Sequence, residues 1–258
     1  MNRLEDRIVL VTGAAMGLGQ AFSNAVANEG ASVVLTDVNV AAGQQSAAEI
    51  VAAGGRAEFL ELDVTSEAAW AAVAATLESK YGRLDALVNN AGFAAAGSVE
   101  DCELDAWNRT MQVNVTGVFL GCKTLLPLLK RSAGGSIINI SSIFGMVGDQ
   151  AAIAYNASKG AVRLLTKSAA LHCAGLNPPV RVNSVHPGFV ETPMVANAVA
   201  SMPEDFAAEY MARTVGLVPL GRIAQPSDLV GIVLFLASDE SRYCTGSEFV
   251  VDGGFTAR

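Results

Sequence analysis

The chain has 258 residues, 51% of them hydrophobic and only 16% charged, which suits one large buried core and excludes a disordered or tail-dominated protein. A formal net charge of −8 argues against a nucleic-acid binder, because affinity for a phosphate backbone rests on clustered Lys and Arg. The first apolar run, residues 8–11, is too short for a signal peptide or a membrane span, so a soluble cytoplasmic protein is expected.

Cys102, Cys122, Cys173 and Cys244 form no C-x-x-C pair and read as reduced thiols. His172 and His186 have no ligand spacing, and no metal site is expected.

Seven short runs rich in β-branched residues are predicted as strands: 8–12, 32–37, 57–63, 86–89, 136–141, 180–185 and 248–251. They lack polar alternation, as strands buried on both faces of a parallel sheet do. Longer Ala- and Leu-rich stretches between them, among them 67–81, 104–130 and 151–173, are predicted as crossover helices. The result is an α/β fold with a doubly wound, seven-stranded parallel sheet and helices on both faces. No linker divides residues 1–258, so one domain is expected. Residues 189–222 lack strand character, carry Pro193, Pro203 and Pro219, and are predicted to form a substrate lid.

The first strand runs into Gly13-Ala14-Ala15-Met16-Gly17-Leu18-Gly19 and then a helix. Glycines there permit a tight turn and let backbone N–H groups reach a pyrophosphate at the helix start, though such turns also serve packing alone. No Gly-Lys-Ser/Thr follows, which excludes a P-loop. Asp37 ends the second strand, where a carboxylate accepts ribose hydroxyls and repels a 2′-phosphate. No Arg or Lys stands beside it, only Val38 and Asn39, so NAD is expected over NADP. The alternative is an Asp that merely opens a loop. Asp63 ends the third strand and Val64 follows it, at the adenine edge. Asn90, Ala91 and Gly92 follow the fourth, small enough for a cofactor to pass. Asn89 is either a site residue or a tie between neighbouring strands.

Tyr155 and Lys159 lie one helical turn apart and share a face. A phenol at its ordinary value of about 10 is a poor base near neutrality. A cation beside it, and a positive nicotinamide ring, both favour phenolate and are expected to lower that value. Ser142 closes the fifth strand and can orient a substrate oxygen on the same carbonyl. Ser141 should point the other way by strand alternation. Asn114, polar within an apolar helix, is either a satisfied core amide or the holder of a proton-relaying water.

Thr12-Gly13-x-x-x-Gly17-x-Gly19, Asn89-Asn90-Ala91-Gly92, Ser142, Tyr155-x-x-x-Lys159 and Pro187-Gly188 occur in the order and spacing of the short-chain dehydrogenase/reductase family, which the whole chain resembles. The resemblance implies a Rossmann fold and a catalytic tetrad of Asn114, Ser142, Tyr155 and Lys159. It also implies that Thr192 binds the nicotinamide amide or pyrophosphate, with Val190 nearby. A homotetramer is implied too, built on the 104–130 helix, the Tyr155 helix and the last strand. The stretches 155–163, 185–188 and 245–254 are similar to bacterial ketone-reducing alcohol dehydrogenases. Asp37-Val38-Asn39, residues 42–45 and Gly121-Cys122 instead look like hydroxysteroid dehydrogenases.

Phe93, Phe144, Met146, Val147, Val190, Met194, Val195, Val199 and Met202 are the apolar candidates for the substrate end, where Phe144 should narrow the site. They favour a hydrophobic or cyclic secondary alcohol and its ketone. Two other readings compete with this one: a β-ketoacyl-carrier reductase and a non-catalytic dinucleotide sensor.

Overall fold

A computed structural model describes residues 2–200 and 204–257. The strands are β1 (Ile8–Thr12), β2 (Ser32–Asp37), β3 (Arg56–Glu61), β4 (Ala86–Asn89), β5 (Ser136–Ile140), β6 (Arg181–Pro187) and β7 (Glu248–Val251). They form one parallel sheet in the order β3-β2-β1-β4-β5-β6-β7. Strands β1, β4, β5 and β6 are buried along their whole length, which suits the apolar runs of β1 and β4. Strand β6 buries Arg181, Asn183, Ser184 and His186, each with hydrogen-bond partners. Three strands differ in their bounds from expectation. β3 and β5 stop sooner, because Leu62–Asp63 and Ser141 already turn toward the sheet's carboxyl edge, and β6 continues through Pro187 while it pairs with β7.

Helices α1 (Gly17–Asn28), α2 (Val40–Ala52) and α9 (Pro226–Ala237) cover one face, through Phe22, Val26, Ile50, Leu229 and Val233. Helices α3 (Glu67–Tyr81), α5 (Gly117–Leu129) and α6 (Ile153–Ala174) cover the other, through Trp70, Leu77, Leu125, Leu129 and Cys173. Neither face is left to solvent.

The helix expected over 104–130 is broken in register. α4 (Leu104–Met111) passes through one π turn, Gln112–Thr116, before α5 begins. A π turn widens the helix by one residue and re-aims what it carries, here the buried Asn114. The run Leu104–Leu129 is long and apolar enough to span a bilayer, but Leu120, Leu125, Leu128 and Leu129 lie in the core against the sheet. α7 (Pro193–Ala200) and α8 (Glu204–Leu217) supply the helical content of 189–222.

The strand order reverses between β1 and β4, the place where open α/β sheets bind ligands. Thr12 ties the two together there. Its Oγ1 accepts from the backbone N–H of Asn90 (3.0 Å) and Ala91 (2.9 Å), while Asn90 Nδ2 donates to the carbonyls of Thr12 (2.9 Å) and Gly13 (3.2 Å). Asn89 proves to be a strand tie, donating from Nδ2 to Asn139 Oδ1 on β5 at 2.8 Å.

Candidate active site

A cleft of about 950 Å³ opens at this switch point, along the carboxyl ends of the strands. Gly13, Met16, Gly17 and Leu18 line it from the first turn, Asp37 and Val38 from β2, and Asp63 and Val64 from β3. Asn90, Ala91, Gly92 and Phe93 line it from β4. Ser142, Tyr155 and Lys159 close its chemical end, with Pro187, Gly188, Val190, Thr192, Met194 and Val195 opposite.

Gly13 and Gly17 sit at φ +62° and +58°, where a side chain is strained. A Cβ on Gly13 would stand 2.8 Å from Ala91 Cα, so the turn depends on glycine at that approach. No side chain caps α1 at Met16 and its first turn holds no acidic residue, which leaves the helix start suited to an anion. These features fit a dinucleotide pyrophosphate. Gly19 does not line the cleft. Its Cβ position falls on the Gly13 carbonyl oxygen, so it serves close packing of the turn.

Asp37 has two tasks. Its carboxylate accepts from the backbone N–H of Ala15 (3.0 Å) and Asn39 (2.9 Å), holding the glycine turn to β2, and it still borders the cleft. Asp63 accepts from Thr65 N and Oγ1 on a single oxygen, Oδ1. Thr192 Oγ1 accepts from Val195 N at 3.4 Å, at the start of α7.

At the chemical end, Ser142 and Tyr155 line the cleft together and both border the small cavity beyond it. Lys159 is buried; its Nζ donates to the Ile140 carbonyl at 2.9 Å and lies 5.4 Å from the centre of the Tyr155 ring. Burial pushes Lys159 down to about 8 and Tyr155 up to about 12, with the nearby Ser142 hydroxyl acting in the opposite sense on the latter. The expected lowering of the phenol by Lys159 is therefore overturned for the chain alone. Loss of hydration weakens both charged forms, and it is the largest cause of each shift. Ser141 points away, as expected, donating to the Lys159 carbonyl at 2.9 Å.

Asn114 lies behind the cleft wall, not in it. Its Oδ1 accepts from Phe93 N (2.7 Å), and its Nδ2 donates to Phe93 O (2.9 Å) and to Ser158 Oγ (2.9 Å). It is a satisfied amide, with partners from the β4 loop and α6 and not from its own helix.

A smaller cavity of about 140 Å³ continues from Ser142 and Tyr155, walled by Phe144, Phe189, Met194, Val195, Val199 and Tyr210. Phe144 packs edge-on against Tyr155 at 6.3 Å and against Phe189 at 5.6 Å. Val147 and Met146 line neither cavity and are 38% and 36% exposed. Asn156 Nδ2 holds the carbonyls of Phe144 (2.7 Å) and Val147 (2.8 Å), which turns Phe144 inward and leaves 146–147 outside. Met202 lies outside the described residues. Among those described, no group of three or more His, Cys, Asp or Glu is placed to hold a metal.

The profile of the family described as enoyl-(acyl carrier protein) reductase matches residues 13–256. The chain is 46% identical to cyclopentanol dehydrogenase of Comamonas sp., covering 100% of both sequences. It is 43% identical to the NADP-dependent (R)-specific alcohol dehydrogenase of Lentilactobacillus kefiri, covering 100% of this chain and 99% of that one. A solved short-chain type dehydrogenase/reductase from Mycobacterium marinum superimposes with a TM-score of 0.90 at 34% identity, over 100% of this chain and 98% of that one.

The chain belongs to the short-chain dehydrogenase/reductase family. It is an oxidoreductase acting on CH–OH groups, and its family uses a nicotinamide dinucleotide. That excludes the non-catalytic sensor.

Several residues around this dehydrogenase's cleft escaped sequence reasoning. Arg109, with its guanidinium 4.6 Å from the centre of the Phe93 ring, borders the cleft, as do Gln112 and Val113. Gln112 and Val113 lie in the π turn that follows α4, and that turn leaves no mark in apolar periodicity. Phe189, Asp149 and Tyr210 line the small cavity; two clues were available, an aromatic directly after Pro187-Gly188 and a second within residues 189–222.

Proposed function

We propose that this enzyme transfers a hydride between NAD and a hydrophobic or cyclic secondary alcohol and its ketone, with Tyr155 as the general acid/base. The observation that carries this reading is that Ser142 and Tyr155 border both the dinucleotide-sized cleft and the small apolar cavity. A substrate carbon seated between them has its oxygen beside two hydroxyls and its hydride face toward the cleft.

When bound, the dinucleotide supplies the hydride acceptor or donor, and its oxidised ring adds the positive charge that the buried phenol lacks. Tyr155 takes the proton from the alcohol oxygen in oxidation and returns it in ketone reduction. Ser142 orients that oxygen and opposes charge on it as the carbon changes hybridisation. Lys159 holds the ribose from the Tyr155 face of α6. Asn114 completes the tetrad from behind, by fixing the Phe93 backbone and Ser158. The remaining cofactor contacts are the cleft residues from Gly13 to Thr192 named above, and the substrate end comprises Phe93, Phe144, Met194 and Val195.

Asp37 supports NAD over NADP, since a carboxylate bordering the ribose end repels a 2′-phosphate. Residues 189–222 act as the lid of this single domain. Exposed Phe119 on α5 and Leu164 and Leu171 on α6 support pairing of those helices in a cytoplasmic homotetramer.

Following absorbance of the reduced nicotinamide with cyclic ketones, NADH and NADPH in parallel, tests the reading. Turnover of cyclic ketones with NADH is expected. No turnover of any cyclic ketone, or turnover with NADPH alone, overturns it.

A further inference from the structure

Arg83, Arg131, Arg163 and Arg222 each hold a carboxylate. Arg109 does not. Asp105 stands one turn earlier on α4, at the spacing that favours an ion pair. Yet among the described residues no carboxylate and no other acceptor engages the Arg109 side chain. Its guanidinium instead lies over the Phe93 ring, 4.6 Å from the centre, and both residues border the cleft. Phe93 is a fixed base for it, since Asn114 accepts from Phe93 N at 2.7 Å and donates to Phe93 O at 2.9 Å. A guanidinium held over a ring still has five N–H donors to give.

The place of this group in the cleft decides what it meets. Phe93 runs on into residues 94–96, which line the small cavity as well as the cleft. On the facing wall Met194 and Val195 border both spaces, and Asn197 borders the cleft two residues later. The walls approach each other here: Met194 Cε stands 3.5 Å from where a Cβ on Gly92 would lie. The other charged side chains lining the cleft are Asp37, Asp63 and Lys159. Both carboxylates follow from β2 and β3, away from this end, and Lys159 Nζ is engaged by the Ile140 carbonyl. Asp149 lines the small cavity and repels an anion placed there, which leaves the Arg109 side as the favourable one for negative charge. An anion at that side gains a forked, charge-assisted partner, and a neutral group of the same shape gains far less.

We propose that Arg109 makes this enzyme prefer ring ketones and alcohols that carry a carboxylate on the cleft side, seated on the guanidinium. This rests on the alcohol-dehydrogenase reading above.

Reduction of 3- and 4-oxocyclohexanecarboxylate, each beside its primary amide and beside cyclohexanone, reads the preference. The better-placed acid is expected to exceed its amide in kcat/KM by about fivefold at low salt, as an ion pair at a hydrated rim gives. That gain should shrink at about 0.5 M NaCl. In Arg109→Gln the ratio of acid to amide should fall to about one. Arg109→Lys, which keeps the charge without the fork, should restore part of it. Acids reduced no faster than their amides by the native enzyme overturn the inference, and turnover of cyclohexanone then leaves the parent reading intact. An unchanged ratio in Arg109→Gln overturns it too; weaker NADH binding in that same variant would assign the guanidinium to the dinucleotide pyrophosphate instead. The native ratio and its salt dependence stand by themselves if the variants fail to fold. Absence of turnover with every compound, with either dinucleotide, removes the parent reading and this one together.

Discussion

His186 Nδ1 lies 3.1 Å from the backbone oxygen of Ser142, and its Nε2 lies 2.8 Å from Ser184 Oγ. A carbonyl only accepts, so Nδ1 carries the hydrogen and Nε2 accepts from the serine hydroxyl. Burial lowers the imidazole's pKa and favours its neutral form. Strand β6 thereby holds the main chain of Ser142, the residue proposed to orient the substrate oxygen.

Replacing His186 with Ala should cut kcat about tenfold with KM little changed, because Ser142 stays present but loses its anchor. His186→Asn places a donor near the Nδ1 position and should recover most of the rate. Steady-state kinetics on the three proteins reads this; equal kcat in His186→Ala and the native enzyme would show that the anchor is idle. The same group affects acid stability. Its folded pKa is lowered, so stability is complete above the imidazole's ordinary value and falls as pH drops below it, where only the unfolded chain takes up the proton.

Tyr155→Phe should reduce turnover by about a thousandfold or more, since it removes the only proton carrier assigned at the substrate oxygen. NADH binding, followed by nicotinamide fluorescence, should stay within about threefold, because the other cleft contacts are untouched. Substantial turnover in this variant would remove the phenol from the mechanism.

Lys159 is a buried cation whose pKa is pushed down to about 8. Between about 8 and its ordinary value, the unfolded chain binds the proton more tightly than the fold, so this group's contribution improves as pH rises through that window. Below it, burial of the ammonium carries its full cost. Lys159→Met should therefore be more stable than the native enzyme at pH 7, by about 1–2 kcal/mol after the lost bond to Ile140 is counted, while activity collapses. Thermal melts at pH 7 and pH 9.5 check this: the advantage should shrink at the higher pH. A variant less stable than native at both would contradict it.

Asp37→Ser together with Val38→Arg should shift the preference from NADH toward NADPH, by about a hundredfold in the ratio of kcat/KM. Because Asp37 also accepts from Ala15 and Asn39, the change should cost about 1–2 kcal/mol in stability. An unmoved cofactor ratio in a folded protein would show that the carboxylate serves the turn alone.

Much of this arrangement was readable in the chain. Gly13, Asp37, Ser142, Tyr155 and Lys159 each follow directly from a strand's carboxyl end or a helical repeat, and local pattern carries that information. The π turn at Gln112–Thr116 was not readable, because a helix that gains one residue keeps its apolar density and its propensity. The direction of the Tyr155 shift was misjudged for a related reason. Sequence spacing reports that a cation is near, whereas the loss of water around both groups depends on how deeply the fold buries them. Asp149 and Tyr210 come to line one cavity only because the loop before α6 and helix α8 fold over it, and neither segment's own sequence says so.

The Asn89–Asn139 bond has a consequence for how the sheet aligns itself. These two residues are also the paired positions of β4 and β5, and Asn139 Nδ2 reaches on to Thr166 Oγ1 at 2.9 Å. The rungs beside them are Leu87 with Ile137 and Val88 with Ile138, side chains that would pack nearly as well one step out of alignment. A single slip would leave two amides stranded in hydrocarbon, at about 1–3 kcal/mol for each lost partner. The pair thus works as a registration mark, setting Ser142 at the right depth before any substrate arrives.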